Sequence, residues 1–112
     1  VIDPEVAEYW RENYDLLEYM KENWSWLGPK IQDKLHIYIG DMDTYRLEQA
    51  VFEMQAWMEA TTDPHYPGFF MYGDREPHCW SGPGGSLARL KDMAMHALRH
   101  KPEGTTTPWW EY

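Results

Sequence analysis

The chain has 112 residues, with ten Lys plus Arg against nineteen Asp plus Glu, a formal charge of −9. That length suits one domain, able to bury roughly 60–70% of its unfolded surface. Seven Trp, eight Tyr and three Phe are too many for a disordered acidic tail, and the negative charge argues against nucleic acid and anionic membranes as partners.

The lone Cys79 excludes an internal disulfide framework and a Cys-rich zinc site. No apolar run reaches the length of a membrane-spanning helix. Residues 1–6 lack the basic and apolar stretches of a signal peptide and hold no Met. The chain is therefore expected to begin inside something longer.

In chain order, Asp3-Pro4 predicts an N-cap followed by Pro at the first helical position. A helix through Val6, Tyr9 and Trp10 should follow, with a second run over residues 14–24 and a break near Asn13 or none. Residues 24–29, ending in Gly28-Pro29, predict a connector. Residues 34–40 predict a strand, because Leu35, Ile37 and Ile39 alternate with His36 and Tyr38. Gly40 to Asp43 forms an acidic turn. Residues 44–60 predict a helix with an apolar stripe of Leu47, Ala50, Val51, Met54, Trp57 and Met58. A turn-rich loop, a short strand over residues 69–72 and an irregular loop over 73–85 come next. Residues 86–100 predict a last amphipathic helix, with Ser86 as its N-cap and Met residues as core filler, stopped by Pro102. Residues 102–112 form an aromatic tail in which Trp109 and Trp110 are expected to dock.

Three segments result: a helical segment and connector over 1–33, an α/β segment over 34–101, and the tail over 102–112. Alternating strands and helices imply an α/β fold with a parallel β-α-β crossover flanked by helices. Two strands are too few for an independent sheet, so the domain is expected to be incomplete.

Asp43 follows the first strand, and His78 follows the second, 35 residues further on. In a parallel sheet both emerge at the carboxyl ends of neighbouring strands, where open α/β sheets place their ligand sites. An Asp there can fix the imidazole tautomer of a His that serves as general base and then general acid.

The run over residues 34–45 contains Gly40-Asp-Met-Asp43. With the helix after it, a Tyr-Gly-containing strand and Pro77-His-Cys-Trp80, it resembles the C-terminal part of an esterase branch of the α/β-hydrolase superfamily. That branch includes enterochelin-esterase-like and feruloyl-esterase-like enzymes. The resemblance covers residues 34–101 and implies a carboxylic ester hydrolase in which Asp43 is the triad acid and His78 the triad base. Pro77 stands where a Gly often precedes the His. The superfamily order places a Gly-x-Ser-x-Gly nucleophile before the acid. Ser25, the only Ser upstream of Asp43, has no strand ahead of it. Residues 84–88 resemble an elbow only superficially, since no strand leads into Ser86. The serine and most of the sheet are thus expected in a preceding part of the hydrolase domain, and the 112 residues alone should be inactive. Such a mechanism acts on a small-molecule ester and needs no metal or organic cofactor. Relatives in this branch are often exported, but the export signal would lie in that preceding part, so localisation stays open.

Plainer readings stand beside these. Asp41 and Asp43 suit an ordinary turn, and Asp41 could also be a second-shell or alternative acid. Asp41, Asp43 and His78 suit a hard cation only with further ligands. Cys79 reads as a small packed thiol, His36 as structural, His65 as a turn residue, and His96 and His100 as solvent-facing. Trp80, Trp24 and Trp26 could wall a substrate pocket, although packing is the commoner role. The alternative to an enzyme is a non-enzymatic aromatic-rich interaction or glycan-binding module.

Overall fold

The computed structural model describes residues 2–105; Trp109 and Trp110, expected to dock, lie outside them. Among the described residues six elements follow one another: α1 (Pro4–Tyr14), α2 (Leu16–Ile31), β1 (His36–Gly40), α3 (Glu48–Glu59), β2 (Phe69–Gly73) and α4 (Gly85–Arg99). The fold is mixed α/β, with a two-stranded parallel sheet in which His36 pairs with Phe69 and Gly40 with Gly73.

Aspartates set the first two helices. The Asp3 carboxylate accepts from the amides of Glu5 and Val6, with Pro4 leading α1 as expected. Asp15 leaves helical geometry (φ −80°, ψ 106°), ending α1. Its carboxylate then caps α2 by accepting from Leu17 at 2.9 Å and Glu18 at 3.1 Å. The break falls at Asp15 rather than Asn13, because Asp15 supplies a cap to the helix that follows.

The expected connector over residues 24–29 is instead the last part of α2, with Gly28 and Pro29 inside the helix. Packing overrides the punctuation. Trp24 stacks edge-on against Trp57 at 4.9 Å, and its indole N–H donates to the Pro64 carbonyl at 3.0 Å. Gly28 is buried, and a Cβ there would sit 2.9 Å from both Pro64 and Trp24. Pro29 is exposed, so the hydrogen bond it cannot make is lost at the solvent side, near the helix end.

The core lies between α2, α3 and one sheet face. Met20, Met58 and Tyr66 are buried, with Leu27, Ile31, Leu35, Met54, Trp57 and Phe70 packed around them. The Tyr66 hydroxyl accepts from the Leu35 amide at 3.1 Å, fixing the entry to β1. On the same sheet face Tyr72 packs on Phe52 and donates to the Gln55 side chain. α4 lies across the opposite face.

Three further expectations fail around α4. Its N-cap is Gly84, at φ 82°, with no side-chain cap, while the Ser86 hydroxyl pairs with Ser81 at 3.3 Å. The left-handed Gly84 turns the chain into the helix before Ser86 is reached. Met93 and Met95 are exposed rather than core filler, because they border an open groove between α4 and the sheet and not a packed interface. Cys79 is exposed, not packed, and sits in the irregular loop at a positive φ of 64°.

Candidate functional site

Both strands end in glycine because the loops after them meet there. A Cβ on Gly40 would run into the carbonyls of Glu76 and Pro77, and one on Gly73 would strike the Trp80 ring. Backbone bonds then lace the loops together. The Asp41 amide donates to Gly73 and the Met42 amide to Glu76, each at 3.1 Å, and Glu76 donates back to Gly73 at 3.2 Å. The Asp41 carboxylate accepts from the Arg75 amide at 2.6 Å. Asp41 is therefore a cross-loop tie and makes no hydrogen bond to His78.

Asp43 turns inward. Its side chain is buried, with one oxygen accepting from the Tyr45 amide two residues on at 2.8 Å. The Asp43 carbonyl accepts from the Arg46 amide at 3.0 Å, and Arg46 adopts φ 59°. This tight turn delays α3 to Glu48, four residues past the expected start. The second carboxylate oxygen reaches Nδ1 of His78 at 2.7 Å. Burial opposes the charge on Asp43, but the hydrogen bonds from His78 and Tyr45, with the charge on His78 and the Leu47 amide, outweigh it and hold its pKa below the ordinary aspartate value. An ionised carboxylate only accepts, so Nδ1 is the donor, and in the neutral imidazole Nε2 is then the acceptor nitrogen. The Tyr45 ring stands edge-on to the imidazole at 4.8 Å and 87°. Sequence reasoning missed Tyr45, whose only signal was its place beside the acid.

The imidazole is about 38% exposed, and among the described residues nothing hydrogen-bonds its Nε2. The arrangement can accept a proton at Nε2 and stabilise the resulting charge through Asp43. The structure brings together two of the sequence-derived site residues and leaves the rest apart. Trp80 packs under Gly73 and beside Tyr38. Trp24 belongs to the core, and Trp26 donates to Asn23 beneath the Lys30 ammonium. Among the described residues, no three His, Cys, Asp or Glu side chains converge as ligands for a metal would.

Comparison with family models, with curated proteins and with solved structures finds no match to this chain.

Proposed function

We propose that this chain carries the acid and base of a Ser-His-Asp ester hydrolase of the α/β-hydrolase type, with the nucleophilic serine supplied by polypeptide outside these 112 residues. One observation carries the reading. Two side chains 35 residues apart meet at 2.7 Å, with Nδ1 on the carboxylate and the imidazole partly exposed. The parallel β-α-β unit holds them at the carboxyl ends of its strands, where open α/β sheets place their ligand sites.

In the proposed reaction, His78 takes the proton from a serine hydroxyl as its oxygen attacks the ester carbonyl. The imidazolium is stabilised by Asp43. The proton passes to the departing alcohol, leaving an acyl-serine. A water then gives a proton to His78 as its oxygen attacks the acyl carbon, and His78 passes that proton to the serine oxygen as the carboxylic acid leaves. Asp43 stays ionised throughout, in keeping with its lowered pKa. A small-molecule ester is the substrate, and no metal or organic cofactor takes part.

The test is ester hydrolysis by the product of the full reading frame containing this sequence. His78→Ala should lower kcat by several decades; turnover within a few fold of wild type would remove the assignment. A second reading, a non-enzymatic interaction or glycan-binding module, is favoured by the exposed Tyr9, Trp10 and Tyr14 of α1. Full turnover after mutation of His78, together with loss of glycan or protein binding after Trp10→Ala, would select it.

A further inference from the structure

The sheet face opposite the core carries His36 and Tyr38 from β1 and Phe69 and Met71 from β2, the alternate residues of each strand. Between this face and α4 runs an open groove of about 730 Å³. Its size lies within the range of small-molecule sites.

An amphipathic helix on an aromatic sheet should place its leucines inward. α4 instead exposes two of its three leucines, with Leu98 half-buried, and mixes Met93 and Met95 with polar residues along the groove. Arg89, Asp92, His96 and Arg99 recur at helical spacing along the groove. Leu87 and Leu90 point out, 82% and 59% exposed. Lys34 and Lys91 add to the cations, leaving Asp92 as the one carboxylate among the lining residues. Among the described residues, Lys34, Arg89, Lys91 and Arg99 form no ion pair with a carboxylate. A cationic groove in a chain of net charge −9 marks a local field of opposite sign to the whole. The Arg89 guanidinium lies 3.7 Å from the Tyr38 ring centroid, braced against the floor rather than loose in solvent. The His36 ring sits 5.3 Å from Phe69 and 4.6 Å from His96, extending that floor.

We propose that this groove binds an aromatic carboxylate, with its ring against Phe69 and Met71 and its carboxylate held by Arg89, whose guanidinium is braced on Tyr38. The guanidinium fork matches a planar oxyanion, and a desolvated aromatic floor strengthens that pairing. The proposal stands whether or not the Asp43–His78 pair is catalytic, since none of the groove residues belongs to that pair.

The experiment titrates the 112-residue chain with 2-naphthoate and, separately, with uncharged 2-naphthalenemethanol. Heat of binding and amide chemical shifts are read. Naphthoate should bind with a Kd below about 1 mM, about tenfold or more tighter than the alcohol, and shift the Phe69 and Met71 amides. Arg89→Gln should weaken naphthoate about tenfold and leave the alcohol unchanged, while Arg99→Gln, about 15 Å further along the helix, should change neither by more than about twofold. Arg89→Lys, which keeps the charge but loses the fork, should also weaken naphthoate and decides if Arg89→Gln loses its native circular dichroism. Equal affinity for acid and alcohol, retained naphthoate affinity in Arg89→Gln or, where that variant misfolds, in Arg89→Lys, shifts confined to other residues, or no binding at several millimolar would each overturn the proposal.

Discussion

The two ends of the sheet differ in how they are held. At the carboxyl ends, the loops around Asp43 and His78 are bound by backbone hydrogen bonds and by glycines that let carbonyls and a Trp ring approach the strands. Across the face beneath α4, the contacts are a cation over a ring and two histidines edge to face, with an open groove between. Neither α1 nor α4 contains a buried residue. Positional accuracy at the candidate site thus comes from main-chain bonding across two turns, not from burial of large side chains. A sheet of only two strands, marginal by itself, can still fix two side chains when its ends are tied in this way.

That contrast can be broken by substitution, and the largest expected effect is on chemistry. Asp43→Asn in the full reading-frame product should lower ester turnover by about four decades, because an amide no longer enforces the Nδ1–H tautomer; kcat and its pH profile measure it. Next is Gly40→Ala, which pushes a methyl into the Glu76 and Pro77 carbonyls. It should cost about 3 kcal/mol in urea unfolding. A cost below about 1 kcal/mol would mean that the loops slide apart easily.

Acid should act on the same tie, more gently. The folded pKa of Asp43 is lowered, so its contribution is complete above the ordinary carboxylate range and is lost as pH falls through the folded value, below about pH 4. His96 adds an earlier loss on the groove side. Burial, with His100 and His36 nearby, lowers its pKa. The stability it contributes is therefore complete above about pH 6.5 and declines as pH falls through the lowered value. Melting curves between pH 7 and 3 should show both losses, with Asp43→Asn removing the lower one. The smallest effect belongs to the open side: Leu87→Ser should change stability by no more than about 0.5 kcal/mol, since Leu87 is exposed.

Much of this was legible in the sequence where the signal is local. Alternation in residues 35–39 marks β1, and Asp3-Pro4 marks the start of α1. The pairing of Asp43 with His78 follows from their places after consecutive parallel strands. What was not legible depends on distant partners. Gly28-Pro29 reads as a stop until Trp24 is seen against Trp57 and Pro64. The start of α3 is delayed by the Asp43 side chain, whose competition with helix geometry is a tertiary outcome once His78 holds its other oxygen. The periodicity of α4 reveals a stripe but not which way it faces, and that orientation is what creates the groove.

The turn at Asp43 bears on how the pair recovers after the loops part. The bond from the Tyr45 amide closes over three residues, so its formation requires little chain entropy. The bond to His78 spans 35 residues and depends on the whole crossover. A local opening can release the imidazole while the carboxylate remains aimed. Re-forming the pair then becomes a search by one moving partner for a stationary target.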